Sequence, residues 1–78
     1  MAELAPDAVV SKVKRGEKID RADLSGINLA NAVLEGASFR RCDMVGANLE
    51  GARLRNANLK SANLCEAFLS AADLRDAN

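Results

Sequence analysis

Few residues in this 78-residue chain have side chains suited to chemistry. Histidine is absent, so no Ser or Cys has the usual imidazole base, and zinc loses its commonest nitrogen ligand. Tryptophan and tyrosine are absent too, which removes most base-stacking chemistry. What remains is a small set. Asp23 and Asp43 lie twenty residues apart, and a carboxylate pair could divide general acid and base roles or hold a cation weakly. Cys42 and Cys65 are the only thiols. Gly16, Gly26, Gly36, Gly46 and Gly51 are dispersed and form no phosphate-cradling cluster. Whether any of these residues meet depends on the elements that carry them.

Those elements are set by a repeat of five. From Ala22 the chain divides into eleven full pentads and two further residues. The third position is large and apolar in all eleven: nine Leu, with Phe39 and Met44. The first position is Ala in ten of twelve, with Ile27 and Cys42 as exceptions. The second is Asp or Asn in eight of twelve, with Val33, Ser38, Arg53 and Phe68 departing. Abundance of Ala and Leu alone does not produce this phasing.

A period of five suits neither regular element. On an α-helix five residues turn about 500°, so successive Leu would scatter around the cylinder. On a continuous strand an odd period sends each Leu to the opposite face. The Leu set is buried together only if the chain turns a corner every five residues, with the first and third positions of each short side inward. Four such sides close a square coil of twenty residues, and coils stack at strand spacing. Asn, Asp, Gly and Ser near the corners suit the turns. Stacking then places Leu24 on Met44 on Leu64, Leu34 on Leu54 on Leu74, and Phe39, the one large inward ring, on Leu59.

The repeated A-(D/N)-L-x-x pattern, from Ala22 to Asn78 and starting in phase from Ile19, resembles the pentapeptide repeat proteins. The resemblance implies an all-β solenoid, a right-handed quadrilateral β-helix of about three coils here. It implies that second-position Asp and Asn, Asp23 and Asp43 among them, form hydrogen-bonded ladders to neighbouring backbone rather than an active site. It says little about function, because members of the family do unrelated things.

Residues 1–18 read as a short N-terminal capping α-helix and linker, and 19–78 as the β-helix. Pro6 and Asp7 suit a first helical turn, and Val9, Val10 and Val13 share a face. Lys12, Lys14 and Arg15 fall in the last turns, and Gly16 can stop the helix, giving a span from about Pro6 to Arg15. The valines need a surface, and the open top of the first coil offers one. No equivalent follows at the other end, where Leu64, Leu69 and Leu74 line an open square. Either further repeats or a partner would cover it, and a homodimer through the C-terminal coil is the expectation for this chain.

Cys42, in a first position, should be buried, and Cys65, in a fourth, exposed; pointing to opposite sides of the wall, they suit no disulfide. A reducing cytoplasmic setting fits. Lys plus Arg and Asp plus Glu each number 11, so the net charge is zero. Folded onto the square, however, the charge separates. Asp23, Asp43, Glu50 and Glu66 lie on the first two sides with no base. Arg40, Arg41, Arg53, Arg55, Lys60 and Arg75 lie on the other two with Glu35, Asp73 and Asp76. Glu35, Arg55 and Arg75 share a column, so part of that basic face can pair with itself. Val45, Cys65 and Phe68 point outward beside the acidic sides and form a candidate contact surface.

No apolar run reaches the roughly 20 residues of a membrane span, and no signal-peptide pattern opens the chain. The function expected is a non-catalytic scaffold presenting surfaces to a protein partner, with no cofactor, no metal, no membrane insertion and no direct nucleic-acid binding. Two other readings stem from the family: a DNA-mimicking gyrase-binding protein, and the repeat module of a larger effector or secretion-associated protein.

Overall fold

The computed structural model describes residues 3–78. One helix, α1, spans Pro6–Lys14. Ala5 stands at its N-cap without a side-chain bond, and Pro6 fills a first-turn position whose N–H would have had no partner. At the other end Gly16 takes φ 75. Its N–H donates to the Val13 carbonyl at 3.0 Å, and that of Glu17 donates to Lys12 at 2.9 Å. This double bond pattern is the Schellman stop, and it closes the helix with Arg15 as C-cap, one residue earlier than the sequence suggested.

From residue 19 onward every side is a short extended stretch between two turns. From Gly26 on, each turn closes with the first-position N–H of one pentad donating to the third-position carbonyl of the one before, as in Ile27 to Leu24 at 3.1 Å. The fifth position has positive φ at every corner from Arg21 to Asp76. A positive φ only at the second central residue is the type II turn, which favours Gly there. Gly26, Gly36, Gly46 and Gly51 meet that preference and Asn31 and Asn56 tolerate it, whereas Arg21, Arg41, Ser61, Glu66, Ala71 and Asp76 do not seek it.

Sides twenty residues apart pair in parallel, in seven bridges from Asp23 with Asp43 to Arg53 with Asp73. The pairing is regular. In the first side, 22–26, Leu24 N–H donates to Asp43 O at 2.7 Å and Gly26 N–H to Val45 O at 2.8 Å, while Asp43 N–H donates back to Ala22 O at 2.9 Å. The second, third and fourth sides of the first coil, 27–31, 32–36 and 37–41, repeat this. Because only about three residues lie between turns, the contacts are single bridges rather than long strands.

The core is the inward set predicted from the pentads. Leu24, Leu29, Leu34, Phe39, Met44, Leu49 and Leu54 are buried, with Ile27, Ala37, Cys42, Ala47, Ala52 and Ala57 between them. Val9 of α1 is buried in the same cluster, and Leu4, Val10 and Val13 pack against it. The ladder also extends upward further than the pentad count implied. Glu3 N–H donates to Asp23 O at 2.7 Å, and Ile19 N–H to Ser38 O at 2.9 Å. Glu3 and Ile19 therefore sit one layer above the first coil, on its first and fourth sides. Helix α1 takes the place of the two sides between them, with Val9 buried against the coil.

Candidate interaction surfaces

The second-position Asp and Asn bond to neighbouring backbone on their own side. Asp23, Asn28, Asp43, Asn48, Asn58, Asn63 and Asp73 each accept, through Oδ1, the N–H two residues on in their own side, at 3.0–3.1 Å. The cause is local reach: the layer above and below is already occupied by backbone bonds, whereas the fourth-position N–H needs an acceptor and the short side chain meets it as an Asx turn. Asp23 also accepts from the Ser25 hydroxyl at 2.7 Å, which holds its carboxyl below the ordinary carboxylate range. Asp23 and Asp43 thus each hold a turn of their own side, and it is their backbones that pair between the coils. Among the described residues no group of His, Cys, Asp or Glu is arranged to hold a metal.

Side four carries the informative exception. Ser38 replaces the usual amide, and the Arg40 N–H instead donates to Asp20 Oδ1 at 2.9 Å from the layer above, while the Ser38 hydroxyl donates to the same oxygen. The Ser38 bond, with the Arg40 N–H, lowers the Asp20 pKa. Glu3 acts similarly on side one, its Oε1 accepting the Asp23 N–H at 2.6 Å. Two carboxylates therefore finish edges that a full coil would cover. They line a cleft of about 330 Å³ under α1, together with Leu4, Lys12, Lys18 and Arg21. Lys12 is drawn to Glu17 at 3.4 Å. Neither Glu3 nor Asp20 was flagged by the sequence reading, yet the signal was there: Glu3 and Leu4 stand twenty residues before Asp23 and Leu24.

On the first two sides Asp43, Glu50, Glu66, Cys65 and Phe68 are exposed, Asp23 is half-buried, and Val45, expected to face outward, is half-buried as well. Phe68 is 56% exposed, in the column below Asn28 and Asn48. Arg40, Arg41, Arg53, Arg55, Lys60 and Arg75 are all exposed. Arg75 does not pair with Glu35 in its column. Its nearest anion is Asp73, two residues back on the same side, which it grips at 2.8 and 3.0 Å, driving the Asp73 pKa down to about 2. An apolar residue the sequence reading passed over, Val33, is 50% exposed on the third side. Cys42 is buried and Cys65 exposed, both free, and burial pushes the Cys42 thiol pKa up.

The two ends differ most. In the lowest coil the N–H groups of Leu64, Glu66, Leu69, Ala71, Leu74 and Asp76 and the carbonyls of Ala62, Ala67 and Ala72 point away from the layer above and have no partner among the described residues. Leu64 and Leu69 are half-buried and Leu74 is 39% exposed. On the fourth side this coil reaches Asn78, whose N–H donates upward to Ala57 O at 3.0 Å.

A family model of pentapeptide repeats matches residues 19–56 and 52–78, in eight copies. None of the curated proteins is significantly similar in sequence. Among solved structures the chain is similar to the pentapeptide repeat protein Rfr23 of the cyanobacterium Cyanothece 51142, with 35% identity and a TM-score of 0.77. The likeness covers 80% of this chain and 42% of that one, so the chain spans less than half of Rfr23. It is also similar to alr5209, a pentapeptide repeat protein of Nostoc Pcc 7120, with 28% identity, a TM-score of 0.68, and coverage of 94% of this chain and 74% of that one.

Proposed function

Since this chain belongs to the pentapeptide repeat family, whose members are generally non-catalytic repeat scaffolds, we propose that it is a protein-interaction module, wound right-handed as in that family, whose docking surface is its lower coil. One observation carries the reading: the upper coil is closed by α1, Glu3 and Asp20, whereas the lower coil presents unpaired N–H groups around a ring of partly exposed leucines. Water can satisfy the backbone but not the leucines, and an open ladder edge is a template for another one. The occupant is a second copy. Head-to-tail growth is blocked because the top of each copy is capped, so lower end meets lower end about a two-fold axis, a contact that closes at two. The end of so small a body buries less than the roughly 800 Å² per partner of a standard interface, so a dissociation constant in the micromolar range is expected. Two free thiols suit a reducing cytoplasmic setting.

Light scattering on the 78-residue protein tests this reading, with amide exchange as the local readout. A dimer is expected, with the Leu64, Leu69 and Leu74 amides gaining protection as concentration rises. A strict monomer at high concentration, or a dimer indifferent to Leu74→Arg, would defeat it. The six cations on the third and fourth sides weigh against a DNA mimic, which needs acid on all faces; failure to inhibit gyrase is the expected result. One observation favours a second reading, the repeat module of a longer effector or secretion-associated protein: the chain matches only 42% of Rfr23. Further coils would then cover the same edge, and the sequence of the whole gene decides between the two.

A further inference from the structure

Resting on the homodimer proposed above, we infer that its two-fold axis passes through the second side of the lower coil, 67–71, and sets Phe68 against the partner's Phe68. The argument starts from which backbone groups are free. Phe68 N–H donates upward to Ala47 O at 2.9 Å, and its carbonyl accepts from Leu49 N–H at 2.8 Å. The groups pointing down are the Ala67 carbonyl and the Leu69 N–H. The other sides repeat the pattern, with the first-position carbonyl and third-position N–H free. Two such edges meeting antiparallel satisfy each other only when second position faces second position. Each third-position N–H then points at a first-position carbonyl. This is the non-hydrogen-bonded pair of an antiparallel ladder, with Cα atoms about 4.5 Å apart and side chains at their closest.

The second positions of the lower coil, side by side around the square, are Asn63, Phe68, Asp73 and Asn78. A square end has four choices of two-fold axis. An axis through the first and third sides sets Asp73 against the partner's Asp73, and Phe68 against the partner's Asn78. The two corner axes set Phe68 against the partner's Asn63 or the partner's Asp73. The axis through the second side alone gives Phe68 an apolar partner, and it sets Asn63 against the partner's Asp73. That second match is also favourable. Asn63 Oδ1 already accepts the Cys65 N–H at 3.0 Å, which leaves its NH₂ to donate to a carboxylate. Aromatic and amide–carboxylate cross-strand pairs stabilise an edge, whereas like charges directly opposite oppose it.

The shape of the end agrees. On the fourth side Asn78 pairs beneath Ala57, in the same layer as Phe68 and across the square from it. Rotation about an axis through the second and fourth sides sets Asn78 against the partner's Asn78, so the first, second and third sides meet flat. The exposed Phe where the repeat calls for Asn thus has a structural use. Its side chain is outward and 56% exposed, so replacing it leaves the core of the monomer untouched.

Disulfide trapping tests the axis separately from the dimer. In a Cys65→Ser background, Phe68→Cys should give an intermolecular disulfide in most chains under mild oxidation, because facing residues in such a pair lie within the roughly 4.4–6.8 Å Cα range of a disulfide. Asn63→Cys alone should not crosslink, and Asn63→Cys combined with Asp73→Cys should. Phe68→Ala should weaken the dimer about tenfold, as expected for loss of an aromatic pair. If light scattering shows a dimer but Phe68→Cys stays uncrosslinked, or Asn63→Cys crosslinks by itself, the axis is wrong and the dimer stands. If the unaltered protein is monomeric, both inferences fail together.

Discussion

Leu34 and Leu74 occupy the same place in the repeat, two layers apart in one column, and their fates are opposite. Leu34 is fully buried and Leu74 is 39% exposed. The upper coil has a helix and two carboxylates over it; the lower coil has none of the described residues beneath it. In a stack of near-identical layers, then, burial is not a property of the residue or of its side. It belongs to the interface between layers, and the first and last layers depend on whatever covers them.

The sharpest way to break that comparison is to cut equal side chains from layers of unequal cover. Leu54→Ala, in the middle of the column, should cost about 2–5 kcal/mol, and Leu74→Ala below about 1 kcal/mol when the protein is dilute enough to be monomeric. Thermal or urea melts of the two variants measure it, and equal losses would mean the inward register or the open end is misplaced. Next in size is the cap. Val9 is fully buried against the coil, and Val9→Ala should cost about 2 kcal/mol while leaving the lower-coil amides unchanged in exchange. A Val9→Ala protein as stable as the parent would reduce α1 to an appendage.

The corners offer a smaller contrast. A left-handed conformation costs a residue with Cβ roughly 1–2 kcal/mol relative to Gly, partly offset by the greater freedom Gly loses on folding. Ala71, at φ 59, should therefore gain up to about 1 kcal/mol on Ala71→Gly. Gly51→Ala should lose stability, since φ is already +66 and the new Cβ would run into the Asn31 side chain. Opposite signs in calorimetry are the expected outcome. The smallest effect is that of acid. Arg75 holds the Asp73 pKa at about 2, below its ordinary 3.8, so the pair stabilises the folded state above the ordinary value. That contribution fades as pH falls from about 4 towards 2, and Asp73→Asn should flatten this part of the melting-temperature profile. Because both partners are exposed, high salt should shrink the effect too.

The period of five, the inward set from Leu24 to Leu74 and the helix with its stop at Gly16 could be read from the residues alone, and the twenty-residue coil from the family their pattern resembles. These are legible because each is a one-dimensional pattern: a Leu every five residues admits only a chain that turns a corner each time, whatever the other residues are. The rest came from the packing of the layers. It placed Glu3 and Asp20 on the edges of the first coil, a match visible as a twenty-residue offset only once the coil's register is known. It turned second-position Asp and Asn onto their own side rather than the next, because the interlayer bonds were already taken by backbone. It imposed positive φ on Arg41, Glu66 and Ala71, residues that do not seek it, since the ladders above and below fix every corner at the same place. And it separated Leu34 from Leu74. Both are Leu in the same pentad position, and what distinguishes them is the layer packed against each, which no local spacing of residues encodes.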